Sequence, residues 1–266
     1  MASTGHRFIF VGGMHRSGTT PLAQLVSSHP QVSGLANTGV PMDEGQFLQS
    51  VYPTGGALGG ETRFGLHPCC HLTEASPLVD RARQELFASW KPYWDLTRPV
   101  LCEKSPINIV MSRFLQAAFP DSSFVFIMRH PVAHALAVLR WDHRASLPLI
   151  VRNWLVCHRY LFEDLPHLQR ACVLRYQDFT RAPASSASRI ERLLGLPPGM
   201  DPSAVKAGLD DRYLSCWASR SYRQSSNRIR NLVKRAWSET EVRYTEWRYE
   251  RDINAFGYSF RDLGAG

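Results

Sequence analysis

"RFIFVGGMHRSGTTPLAQLVSSHP", residues 7–30, holds an apolar run, a glycine-bounded turn and an amphipathic segment, in that order. Residues 7–11 read as a buried strand. "TTPLAQLVSS" reads as a helix with Leu22, Leu25 and Val26 on one face. Pro21 is tolerated in its first turn, and His29-Pro30 stops it. A strand, a glycine turn and a helix in succession point backbone N–H groups and a helix N-terminus at one spot, which suits an anion. A Walker loop reads G-x-x-x-x-G-K-[ST]. Here Gly13 and Gly18 hold the glycine positions, Thr19 stands where the lysine belongs, and Thr20 holds the hydroxyl position. Arg16 supplies a cation in its place, with a planar fork matched to tetrahedral oxyanions. A chance glycine turn does not account for strand, arginine, two hydroxyls and helix together.

Beyond this stretch, "RPVLCEKSP" at 98–106 is a second strand, followed by a helix over 107–119. "SFVFIMRHP" is a third strand, followed by helices over 132–141 and 147–163. "ACVLRY" is a fourth strand, and a helix over 184–194 ends at Gly195. Ser238 and Glu241 form a capping box that opens a last helix, closed by Gly257. Residues 33–80 have weak periodicity and read as a long loop that includes "YPTGGALGG". Residues 219–235 are basic and polar. Short, apolar, unalternating strands between helices predict a parallel sheet covered on both faces. The expectation is one α/β domain over 1–266, a P-loop-containing nucleotide-binding fold with four to five central strands. Ligands then bind at the C-terminal strand ends.

Of the 266 residues, 44% are hydrophobic and 20% charged, which predicts a folded soluble chain. The net charge of +8 favours an anionic partner. No apolar run has the length of a signal h-region or a membrane span. The six cysteines include no C-x-x-C pair, so reduced thiols in a cytoplasm are expected. "HPCCH", His67 to His71, matches no standard zinc spacing.

An NTPase needs Mg²⁺, often held by a carboxylate at the end of a neighbouring strand. The strand "FVFIM" ends instead in Arg129. The loop and Arg129 together predict a ligand with two separated anionic groups and no metal between them. The alternative is a metal-dependent P-loop kinase with a degenerate loop, which a magnesium-dependence assay separates. A third reading, a binder of nucleic acid or another anionic polymer, rests on residues 219–235 and Tyr222, and predicts steeply salt-dependent retardation.

"GMHRSGTT" followed far downstream by "FIMRHP" resembles the sulfotransferases that use 3′-phosphoadenosine 5′-phosphosulfate (PAPS). "LCEKSP" resembles the strand-and-lysine segment of the tyrosylprotein-sulfotransferase branch, "LRYQDFTRAP" a strand-and-helix segment of the family, and "AFGY" a common ending; "MDEGQFLQSVYPTGG" is similar to bacterial members. The resemblance implies that Arg16, Ser17, Gly18, Thr19 and Thr20 hold the 5′-phosphosulfate and that Arg129 holds the 3′-phosphate. A serine usual eight residues after that arginine is here Ala137. "SRSYRQSSN" at 219–227 resembles a loop that closes over the cofactor, which makes Arg220, Arg223 and Ser225 candidate replacements.

The implied reaction is in-line sulfuryl transfer to a hydroxyl or amine, releasing adenosine 3′,5′-bisphosphate (PAP), with no metal. Arg16 and Lys104 are expected to stabilise charge, and Glu44 to act as base, since a glutamate stands there in the tyrosylprotein branch. His67 and His71 are the runners-up, because the small-molecule branch uses histidine; His15, within the anion loop, is less well placed. The region 33–80, with Phe47, Tyr52 and Phe64, is expected to shape the acceptor pocket. The acceptor is expected to be a small molecule, metabolite or carbohydrate, with no nucleic acid and no integral membrane segment. The chain is expected to be a monomer or homodimer.

Overall fold

A computed structural model describes residues 5–142, 145–206, 210–219 and 239–263. The chain runs β1 (Arg7–Gly13), α1 (Thr19–Ser27), β2 (Val32–Gly34), α2 (Val79–Trp90), β3 (Val100–Lys104), α3 (Ser112–Ala118), β4 (Ser122–Met128), α4 (Pro131–Leu139) and α5 (Leu147–Asp164). It continues through β5 (Ala171–Arg175), α6 (Tyr176–Arg181), α7 (Pro183–Leu194), α8 (Asp210–Ala218) and α9 (Glu239–Asn254). The five strands form one sheet in the order β2-β3-β1-β4-β5, parallel throughout.

Alternate residues of the strands supply two apolar layers, as the two-residue period of a strand requires. Phe8, Phe10, Leu101, Phe124 and Phe126 face one way, toward α2, α3 and α5. Ile9, Val11, Val100, Cys102, Val125 and Ile127 face the other, toward α1 and α7. Each fully buried phenylalanine contributes about 1.5–3 kcal/mol, so a sheet with both faces covered is strongly specified. The register pairs Val11 with Lys104 and Gly13 with Ile127. The glycine turn, the end of β3 and the end of β4 therefore meet at one edge.

Two segments depart from the expected pattern. Residues 33–80 are not a structureless loop: β2 reaches into their start, and 3-10 turns follow at Pro41–Asp43, Gly45–Phe47 and Phe64–Leu66. The Gln49 side chain ties part of this region together, accepting from the N–H groups of Val51 and Tyr52 and donating to the carbonyls of Gln46 and Tyr52. Such side-chain-to-backbone bonds leave no periodic signature. Tyr52 and Phe64 are core residues rather than pocket walls; only Phe47 of the three is exposed. The helix expected over 107–119 is split into a 3-10 segment, Pro106–Val110, and α3. Asn108 within the first piece donates from its side chain to Val11 O and Glu103 instead of facing solvent. Of the expected capping box, Ser238 lies outside the described residues. The Glu241 carboxylate accepts from Leu147 N at the start of α5.

Candidate active site

The β1–α1 turn is built for close approach. A Cβ on Gly13 would lie 2.7 Å from Ile127 O, and one on Gly18 would lie 2.7 Å from the Tyr176 ring. Gly18 also has φ 97°, and Arg16 has φ 64°, both left-handed. An arginine in that region is uncommon and is held by its surroundings, as at many functional turns. The first turn of α1 leaves N–H groups without intrahelical partners. Ser17 Oγ is fully buried with no hydrogen-bond partner among the described residues. Thr19 is buried and Thr20 half-buried beside it. An orphaned hydroxyl, the N–H groups of a helix start and a tight glycine cradle fit a bound oxyanion.

Arg16 projects from this turn with its guanidinium carbon 4.5 Å from the centre of the Trp141 ring, a residue 66% exposed. Glu61 stands near: burial raises its carboxyl, Arg16 pulls it back, and Glu44 and Asp142 repel it. Glu61 and Trp141 carried no recognisable motif in the sequence.

Lys104 is buried, and its partner is Glu44 rather than the adjacent Glu103. Its Nζ donates to Glu44 Oε1 at 3.1 Å and to Met42 O at 2.8 Å. The other Glu44 oxygen accepts from Gln46 Nε2 at 2.6 Å. Glu44 is only 7% exposed, so it is no solvated loop carboxylate. Glu103 points to the opposite face of the sheet, where Oε1 accepts from Gly45 N and Ser105 Oγ and Oε2 from Asn108 Nδ2. Those bonds pin the Glu44 turn to the end of β3.

Burial pushes the Glu103 carboxyl up to about 7, against these donors and Lys104. The folded protein therefore holds that proton more tightly than the unfolded chain. The resulting stability is fully present below the unfolded carboxyl range near pH 4.5 and is lost as the pH rises toward 7. Urea unfolding at pH 5 and pH 7.5 should show this decline in the wild type and a shallower one in Glu103→Gln; equal slopes would rule it out.

His15 packs edge-on against Phe64. Burial, then Lys104, then Arg16 push its pKa down to about 4, so it is neutral near pH 7. The runner-up histidines make other contacts. His71 Nε2 meets Asp164 Oδ1 at 3.0 Å, with its ring stacked on Tyr160. His67 is exposed, and its Nδ1 accepts from Cys69 N in the same turn. Among the described residues no three His, Cys, Asp or Glu side chains are grouped to hold a metal, and no helix is long and apolar enough to cross a membrane.

Arg129 is buried at the end of β4. Its Nε and Nη2 both donate to Asp210 Oδ1, at 2.8 and 2.6 Å, and its Nη1 donates to Arg16 O. The rings of Tyr176 and Tyr213 lie 4.4 and 5.4 Å from its guanidinium carbon. Ala137 is buried in α4 and offers no side-chain donor. Arg220, Arg223 and Ser225 lie outside the described residues.

A model of the sulfotransferase family matches residues 9–202, which span the cradle, Glu44, Lys104 and Arg129. The chain belongs to the sulfotransferase family. Among solved structures, this sulfotransferase is similar to sulfotransferase STF9 from Mycobacterium avium, with 12% identity and a TM-score of 0.55 over 97% of this chain and 78% of that one. A sulfotransferase from Alicyclobacillus acidocaldarius shows 17% identity and a TM-score of 0.49, covering 89% of this chain and 98% of that one. A mouse sulfotransferase, SULT7A1, solved with PAP, shows 13% identity and a TM-score of 0.43, covering 96% and 85%. A search of curated proteins finds no match. The parallel sheet of four to five strands expected from the sequence is observed with five, and the fold is shared with the first of these.

Proposed function

We propose that this sulfotransferase moves the sulfuryl group of PAPS to a hydroxyl or amine of a small-molecule or carbohydrate acceptor, with Glu44 as base and Arg16 and Lys104 as charge stabilisers. The observation that carries the reading is the buried pair of Lys104 and Glu44, 3.1 Å apart, beside a glycine cradle with an orphaned Ser17 hydroxyl. The acceptor oxygen attacks sulfur and its proton passes to Glu44. The bond from sulfur to the bridging oxygen breaks, and PAP leaves with the negative charge. Lys104 has three N–H donors; two are used by Met42 and Glu44, which leaves the third for charge building on the transferring group. Arg16, Ser17, Gly18, Thr19 and Thr20 hold the 5′-phosphosulfate, and Arg129 the 3′-phosphate.

The acceptor's place is a cavity of about 520 Å³ between α1 and the β2–β3 edge. Thr20 and Lys104 line it at the reacting end, with Gln24, Ser33, Asp95 and Arg98 among the other walls. These hydroxyl, carboxamide and charged groups alternate with apolar walls from Ala23, Leu35, Ala36 and Met42, so the cavity suits an acceptor with both a polar and an apolar face.

Arg16→Ala should weaken PAP binding roughly 10- to 100-fold in isothermal titration, the scale of a lost charged hydrogen bond, and should lower turnover as well. Unchanged PAP affinity would refute the assignment of the loop.

A further inference from the structure

Three of the five N–H donors of the Arg129 guanidinium are engaged by protein groups. Two of its nitrogens converge on a single oxygen, Asp210 Oδ1, and the third holds the carbonyl of Arg16. The other carboxylate oxygen, Asp210 Oδ2, is buried with no hydrogen-bond partner among the described residues. Asp210 as a whole is 4% exposed. A carboxylate placed to hold a buried arginine permanently would meet it fork to fork, with both oxygens satisfied. Here one oxygen receives two donors and the other receives none. The carboxylate thus sits where an anion with more oxygens would use the same cation more fully. Tyr213, three residues on in α8, adds its ring to the same guanidinium, so both contacts come from one helical face.

From this geometry we infer that Asp210 is a stand-in for the nucleotide's 3′-phosphate, holding Arg129 in its absence and competing with it for that cation. The inference rests on Arg129 being the 3′-phosphate ligand. A phosphate dianion and the Asp210 carboxylate repel at one guanidinium, so the carboxylate must leave Arg129 when the nucleotide binds. Asp210 acts through Arg129 and is a positioning residue. It sets how strongly the protein prefers nucleotides that carry a 3′-phosphate over those that do not.

The test compares two probes that share the 5′-phosphate and differ in the 3′-phosphate: PAP and adenosine 5′-phosphate. Titration calorimetry gives the ratio of their affinities in wild type, Asp210→Asn and Arg129→Gln. Partial unfolding weakens both probes alike, so the ratio isolates the 3′-phosphate term. Asp210→Asn should raise the preference for PAP about tenfold, equivalent to about 1.4 kcal/mol, with adenosine 5′-phosphate binding unchanged. Arg129→Gln should lower the preference by at least as much. If Arg129→Gln lowers it but Asp210→Asn leaves it unchanged or lowers it too, Asp210 is only a structural partner and the inference fails alone. If Arg129→Gln leaves it unchanged, the assignment of Arg129 fails and the inference falls with it. Should Asp210→Asn not yield folded protein, Asp210→Ser gives the same readout.

Discussion

Glu44→Gln should lower kcat by roughly 10²-fold or more, the scale of a lost general base, and should leave PAP affinity unchanged. The amide matches the carboxylate in shape, so Lys104 keeps an oxygen to bond. What disappears is the ability to take the acceptor's proton. Glu44 is held in place from both sides: Lys104 bonds one oxygen and Gln46 the other. The Glu103 carboxylate also bonds the next backbone N–H, that of Gly45. The proposed base is therefore positioned before an acceptor arrives, which would remove an ordering cost from the reaction. Steady-state kinetics with labelled PAPS and a melting curve form the check. Near-normal kcat in a well-folded variant would move the base to another group, with His15 and Glu61 next to be tested.

Lys104→Met has the second large effect, and it is twofold. Turnover should fall by about 10²- to 10³-fold, as when a preorganised donor to a developing charge is removed. Stability should fall too, by about 3–5 kcal/mol, because Glu44 is left as a charge buried without its partner. The two losses can be separated. The double variant Glu44→Gln, Lys104→Met leaves no unpaired charge, so thermal denaturation should show stability recovering toward wild type while activity stays low. If the double variant is no more stable than Lys104→Met alone, the two side chains are not energetically coupled.

Much of this site could be read from the chain because its signals are local. The strand, glycine turn and first helix lie within one short stretch, and Arg16, Ser17 and Thr20 are fixed by position in that turn. Lys104 ends one apolar strand and Arg129 directly follows another. What could not be read depends on long-range contact. The Glu44–Lys104 pair spans 60 residues, and the Arg129–Asp210 pair spans 81. No periodicity connects such positions. β2, three residues long, is too short to carry a pattern. α2 is rich in charged residues, and only Ala82, Leu86 and Trp90 of it are buried, so its inward stripe is thin. Tyr52 and Phe64 have the composition of pocket walls, yet core packing claims them.

Glu103 and Lys104 sit side by side at the end of β3 and serve opposite faces of the sheet. The first braces the Glu44 turn, and the second is paired with Glu44 beside the anion cradle. Insertion or deletion of one residue in β3 would exchange them, since a one-residue slip inverts every side chain of a strand. A carboxylate would then face the bound anions, and an ammonium would face the buried donors of Gly45, Ser105 and Asn108. Length variation among descendants of this chain should therefore collect in the connections on either side of β3. Within the strand itself, substitutions are survivable where indels are not.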